Sequence, residues 1–342
     1  MNKLVLLGYV FLLSLGTVNC TKEESPGNKS LTVYTAGSYK NAGGKYVAAY
    51  WINDEKHDLT DGTTNAQVKA ITVVNGKVYT AGTYVNAGGV EVATYWINNV
   101  KQPDLSYGIN FATAESITVY SGKVYVAGYY TNASNKGVAA YWVDGAKTDL
   151  MDGTQNSMAR SIFVSKDHVY VAGSYGNASL TWVAAYWVDG VKKDLGNGIK
   201  ESHAYSIVYA EGNLYVGGFY TDINVIGAYW KEDVKYNISD GTANVYILAM
   251  NVVKGIVYTA GTFMTSGGAN AAGYWKNNSK FELECGENQA WAKSIFVLGS
   301  DVFTAGHCPD EGGIQSAVYW ENEKKHELIK NGTINAVFVV SE

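Results

Sequence analysis

The chain is 342 residues long and carries 38 Gly, 27 Tyr and 9 Trp against 3 Pro, with 17% charged residues, a composition too apolar for a disordered protein. A chain of this length hides about three-quarters of the surface its unfolded form exposes, so neither a metal nor a cross-link is required to hold a core together. The net charge is −5 and Arg160 is the only arginine, which excludes the basic stripe that a nucleic-acid-binding surface needs to meet phosphates.

Met1-Asn2-Lys3 opens the chain and a mostly apolar run, residues 4–15, follows, the pattern of a secretory signal. The run is well short of the roughly 20 apolar residues that cross a bilayer as a helix, and no later stretch reaches that length. Gly16-Thr17-Val18-Asn19-Cys20 places a cysteine where a bacterial lipoprotein is cleaved and acylated, and the stretch resembles a relaxed lipobox of the spirochaete kind. Asn19 departs from the small residue usual at that position, so ordinary signal cleavage with Cys20 as a spare thiol is the alternative. The reading adopted is a signal peptide over 1–19, lipid on Cys20 and a polar tether over 20–30 with no apolar periodicity. Lys22-Glu23-Glu24 resembles the acidic export tags of some Gram-negative surface lipoproteins. The expected address is the outer membrane, facing outward, with a periplasmic or secreted protein as the alternative.

From residue 31 onward the chain repeats itself. A Val-Tyr-Thr/Val-Ala-Gly type run closes at Gly37, Gly82, Gly128, Gly173, Gly218, Gly261 and Gly306, and a Tyr-Trp pair follows each, from Tyr50-Trp51 to Tyr319-Trp320. Both series step by 43 to 46 residues. Short β-branched and aromatic runs at that period indicate a β-propeller rather than a helical solenoid. The third unit supplies four strands: 116–120, 123–128, 138–143 and 147–150. Pairs such as Asn75-Gly76 and Ser121-Gly122 join first to second strands, and Asp144-Gly145 and Asp189-Gly190 join third to fourth, as short hairpin turns. The remaining links are longer and differ between copies, so tight turns and variable loops fall at opposite ends, the variable end being the candidate functional face. The sequence therefore predicts an all-β, seven-bladed propeller over 31–342. Residues 31–37 form a second strand with no first strand before them and 334–340 a first strand with no second after them, so the termini are expected to pair and close the ring in one blade.

The repeat, read as Val-Tyr-Val-Ala-Gly, Ala-Tyr-Trp and Asp-Leu, resembles uncharacterised bacterial lipoprotein repeats over residues 31–342. That resemblance implies a propeller on a cell surface and brings no activity with it.

Catalytic and metal motifs are sparse. Asp61-Gly62-Thr63, Asp152-Gly153-Thr154 and Asp240-Gly241-Thr242 offer one carboxylate each, a turn rather than a calcium loop. His57, His168, His203, His307 and His326 fall in different units, so neither a metal nor a cofactor is expected. Cys285 stands where other units have Asp61 or Asp152, and Cys308 where they have Tyr39, Tyr84 or Tyr130. Both places belong to the variable end of blade seven, so in an exported protein a disulfide is expected, two buried thiols being the alternative.

Function is to be sought where the copies disagree. At the start of the innermost strands the aligned positions read Gln67, Thr113, Met158, His203, Tyr246, Trp291 and Thr333, and two residues on Lys69, Glu115, Arg160, Tyr205, Leu248, Lys293 and Asn335. Such variety at fixed register is what a graft site on a uniform scaffold looks like. Trp182 and Trp291 are the two tryptophans outside the Tyr-Trp series. The candidate ligand-binding set is Glu115, Arg160, Trp182, His203, Tyr205, Tyr246 and Trp291, for a protein, matrix or glycan partner. The rival is a hydrolase or lyase in which Glu115, Arg160, His203 and Tyr205 supply acid, base and charge stabilisation; against it, no catalytic motif is present and no orienting partner for His203 is visible.

Overall fold

The computed structural model describes residues 30–341 except 107, 109, 166, 167, 286–288 and 311. The expected signal sequence, Cys20 and all of the tether but its last residue lie outside the described residues. Within them, 28 strands form seven four-stranded antiparallel sheets and there is no helix. Each sheet is one blade of a ring. Blade 2 runs Ala66–Val74, Lys77–Val85, Glu91–Ile97 and Val100–Lys101 from the inner strand outward, and blades 3 to 7 repeat that order. Blade 1 is composite: Gly332–Ser341 is its inner strand and pairs with Leu31–Lys40, from Leu31 opposite Ser341 to Tyr39 opposite Gly332. The closure expected from the two chain ends is therefore the one observed.

Each inner strand is interrupted by one β-bulge, and the bulges explain the repeat glycine. In blade 3 the pairing steps from Ala114 opposite Gly128 to Ser116 opposite Ala127, leaving Glu115 as the extra residue. The same step leaves out Lys69, Arg160, Tyr205, Leu248, Lys293 and Asn335 in the other blades. A bulge leaves its extra residue out of the ladder and re-aims the side chain, here one per blade around the central channel. It also drives the carbonyl two residues earlier onto the second strand. A Cβ at Gly37, Gly82, Gly128, Gly173, Gly218, Gly261 or Gly306 would land on that oxygen, belonging to Thr333, Gln67, Thr113, Met158, His203, Tyr246 and Trp291 respectively. The bulge also corrects the strand bounds: the inner strand of blade 3 is Ala112–Tyr120, not 116–120, because Glu115 breaks the alternation that marks a strand.

The core lies between blades. Tyr and Trp of a pair point to opposite faces, so each gap receives the Tyr of one blade and the Trp of the next. Tyr95 packs with Trp142, Tyr186 with Trp230, Tyr274 with Trp320 and, across the closure, Tyr319 with Trp51. The Tyr50 hydroxyl donates to Asn99 at 2.7 Å and that of Tyr186 to Asp233 at 2.7 Å, both on the outer turn of the next blade. Nearer the axis, the hydroxyls of Ser116, Ser161, Ser206 and Ser294 accept from the backbone N–H of Ile162, Ile207, Met250 and Val337 in the following blade, at 3.1–3.3 Å.

The tight-turn end behaves as expected. Asn75-Gly76, Ser121-Gly122, Asp144-Gly145 and Asp189-Gly190 all hold left-handed φ at both residues, the geometry of a two-residue hairpin turn. The Asp144 and Asp189 side chains also cap the N–H of Val124 and Val169 at 2.9 Å. At the variable end Asp61, Asp152 and Asp240 each accept from the N–H and hydroxyl of Thr63, Thr154 and Thr242. Those bonds hold the three carboxyls below their ordinary values and leave them as turn-formers. Blades 1 to 4 close this end with a clip: Tyr39, Tyr84, Tyr130 and Tyr175 donate to Asp58, Asp104, Asp149 and Asp194, with Lys56, Lys101, Lys147 and Lys192 over the rings. Blade 7 has Cys308 at that position, joined to Cys285 by a disulfide with Cα atoms 5.5 Å apart.

Candidate functional site

The bulge residues form a waist in the channel, and the residues two positions earlier form a rim above it at the variable end. Directly opposite each rim residue is the residue after the repeat glycine: Thr113 faces Tyr129, Met158 faces Ser174, His203 faces Phe219, Trp291 faces His307 and Thr333 faces Ser38. Waist and rim thus divide into sectors of different chemistry.

One sector is aromatic. His203 lies 5.2 Å from Phe219 and 6.3 Å from Tyr205, ring centre to ring centre, and Trp182 lies 5.7 Å from His203. Phe219 stacks on Tyr205 at 5.5 Å and meets Tyr246 edge-on at 5.0 Å, and Tyr246 lies 6.3 Å from Trp291. Phe219 is the buried centre of the group, and the residues expected to bind are arranged around it. It was missed because only the inner strand was aligned; the position after the repeat glycine varies as the rim does (Ser38, Thr83, Tyr129, Ser174, Phe219, Thr262, His307) and would have revealed it.

Beside it lies an ion pair. Arg160 is 3.4 Å from the Glu115 carboxylate, which also accepts from the Thr113 hydroxyl at 2.9 Å. The guanidinium sits over Tyr205 at 5.4 Å and Tyr129 at 5.8 Å. Glu115, Arg160, Tyr205, His203, Trp182, Tyr246 and Trp291, the whole expected set, are therefore linked through neighbouring contacts with Phe219 as the bridge.

His203 does have partners, contrary to the expectation from sequence. Its Nε2 is 3.1 Å from Glu201 Oε1 and its Nδ1 3.1 Å from Ser174 Oγ. Burial pulls the imidazole below its ordinary value while Glu201 pulls the other way. Ser, His and Glu are the types of an acyl-transfer triad, but the Ser174 hydroxyl is on a side chain 2% exposed. A nucleophile must reach a carbonyl carbon, and this hydroxyl is buried. The arrangement fixes the ring of His203 between Ser174 and Glu201. Glu201 escaped notice because it belongs to the link preceding the strand.

The third sector is polar. A cavity of about 370 Å³ is lined by Lys40, Lys69, Lys293, Gln67, Thr333 and Asn335 among others. A second, of about 460 Å³, extends from the waist toward the tight-turn end and has Trp291, Lys293, Lys69, Glu115 and Arg160 in its wall.

No protein-family model and no curated protein matches this sequence. Solved structures do match it in shape. A puromycin-hydrolysing peptidase of Mycobacterium tuberculosis superposes with a TM-score of 0.58 at 12% identity, over 88% of this chain and 52% of that one. A puromycin hydrolase gives 0.57 at 12% identity with the same coverage. The six-bladed fucose-recognising lectin of Aleuria aurantia gives 0.43 at 8% identity, over 76% of this chain and 93% of that one. The present chain spans about half the length of the two hydrolases. At these identities the likeness is one of fold: the molecule is a β-propeller.

Proposed function

We propose that this protein is a non-enzymatic binding module, held at the outer membrane surface by lipid on Cys20 and presenting its channel mouth to a glycan or protein partner. The observation that carries the reading is the contrast within one register. The seven glycines and Tyr-Trp pairs are uniform, whereas the rim and waist vary from blade to blade and gather Tyr205, Tyr246, Trp291 and His203 on one side, with Trp182 beside His203. Half-buried aromatic faces beside polar groups suit a sugar ring or a peptide side chain. The hydrolase alternative is the weaker of the two: Glu115 and Arg160 neutralise each other, and the hydroxyl beside His203 is buried. The likeness to puromycin hydrolases concerns about half of those chains.

The test is a screen of the protein against immobilised glycans and matrix proteins, with the Trp291→Ala, Tyr246→Ala double variant alongside. A ligand retained by the wild type and lost at least tenfold by the variant supports the reading; equal binding by both places the ligand elsewhere, and turnover abolished by Glu115→Gln replaces the module with an enzyme. For the anchor, labelled fatty acid is expected to enter the wild type and not Cys20→Ala, which should leave the membrane fraction. Unchanged membrane association of Cys20→Ala contradicts the lipid.

A further inference from the structure

Three consecutive blades meet at the closure of the ring, and their bulge residues are Lys293, Asn335 and Lys69. Lys293 donates to Thr333 Oγ1 at 3.0 Å and to Asn335 Oδ1 at 3.1 Å. Asn335 is itself fixed, its amide donating to the Val68 carbonyl at 2.6 Å. His307 Nδ1 shares Thr333 at 3.3 Å. The cavity above them brings in Lys40, Gln67, Gln315, Asn331 and Ser38. It contains three lysines and no carboxylate in its lining, and among the described residues no Asp or Glu forms an ion pair with Lys40, Lys69 or Lys293.

The clip lysines of blades 1 to 4 differ from this pattern. Lys56, Lys101, Lys147 and Lys192 each have an aspartate within 3.0 Å. Burying the Lys293 ammonium beside that of Lys69 costs free energy, and an anion entering between them lowers that cost. The neutral lining of amides and hydroxyls offers donors and acceptors in about equal measure, which matches sugar hydroxyls around a single charge better than a bare multivalent ion. Trp291 stands two residues before Lys293 on the same inner strand, and both line the channel wall. A pyranose stacked on Trp291 therefore directs a ring substituent toward Lys293. Lys69, Lys293 and Asn335 line both cavities, and the one that Trp291 also lines, at about 460 Å³, has room for roughly fifteen waters, enough for one sugar residue.

Resting on the binding-module reading, we infer that the channel mouth recognises an acidic saccharide, with a uronic-acid carboxylate held between Lys69 and Lys293 and the sugar face on Trp291. Burial, with Lys69 adding to it, pulls the Lys293 ammonium down to about 8. The groups facing it are Lys69, Lys40 and His307 in this sector and Glu115 and Arg160 across the channel. His307 is pulled down to about 4 by burial and by Lys293, so it is neutral near pH 7 and adds no charge. The anion needs the protonated lysine and its own ionised carboxyl, so binding is strongest between about pH 4 and 7 and weakens above pH 8, toward roughly tenfold per unit.

The experiment is calorimetric titration of the full chain with oligogalacturonate, with the same oligomer methyl-esterified, and with inorganic sulfate. The acid is expected to bind and the ester at least tenfold more weakly. Lys293→Met and Lys69→Met should each lose at least tenfold for the acid while melting within a few degrees of the wild type, and Lys293→Met should lose the fall in affinity above pH 8. Equal binding of acid and ester, both lost in Trp291→Ala, overturns this inference and leaves the binding-module reading standing. Sulfate binding as tightly as the oligomer overturns the saccharide part. Absence of binding to all three probes overturns the inference as a whole, and the separate glycan and matrix screen then judges the module.

Discussion

Gly128→Val is expected to destabilise the protein by about 4 kcal/mol or more, near the upper end for a single substitution. The reason is steric and local. A Cβ at Gly128 meets the carbonyl oxygen and carbon of Thr113 and the Cα of Ala114, all of them backbone atoms that no rotamer change can move. The strands must separate, breaking the ladder on both sides of Gly128, which pairs with Ala114 inward and Ala140 outward. Gly122→Ala is the control. It lies on the same hairpin at φ +77° with open space around its Cβ position, so it bears only the left-handed penalty of about 1–2 kcal/mol. Urea unfolding of both variants checks this. Equal midpoints for Gly128→Val and Gly122→Ala would show that the repeat glycine does not make room for the bulge.

Most of the architecture was legible in the sequence because each blade needs the same few things. Left-handed turns select Asn-Gly and Asp-Gly pairs, the gap between blades selects Tyr beside Trp, and a second strand at the front of the chain requires a first strand at its end. The bulge was not legible. It falls between residues such as Ala114 and Ser116 that have no feature of their own, and its mark, Gly128, sits on the neighbouring strand. The candidate site was read in part. The six residues chosen from the rim and waist are neighbours in space, since copies of one unit put equivalent positions at equivalent places, and Trp182, chosen as a tryptophan outside the Tyr-Trp series, lies beside them against His203. Phe219 and the partners of His203 lie off the aligned strand, on the second strand and in the preceding link, and alignment of the inner strand alone cannot find them. Lys69 and Lys293 are both in the aligned set, but their sharing of one cavity with Asn335 depends on blades 7, 1 and 2 being adjacent, which is a property of the closed ring.

The acidic-saccharide site depends on that closure, because the cavity with Lys69 and Lys293 exists only where the last inner strand lies between those of blades 7 and 2. Deleting residues 337–342 removes Val337 and Val339, both buried, and Phe338, whose ring lies 4.8 Å from Phe296. At about 1.5–3 kcal/mol per buried side chain the loss is on the order of 5–8 kcal/mol, comparable with the whole stability of a typical domain. It also leaves Leu31–Lys40 with half of its inner partner missing, an open edge. Thermal unfolding of the truncated and full chains, followed by near-ultraviolet circular dichroism of the packed tryptophans, tests the closed ring most directly. With the ring opened, the truncated chain is expected to lack the native signal or to melt at least 10 °C lower, as so large a loss requires; equal melting temperatures for the two chains would show that the terminal strands do not close the ring.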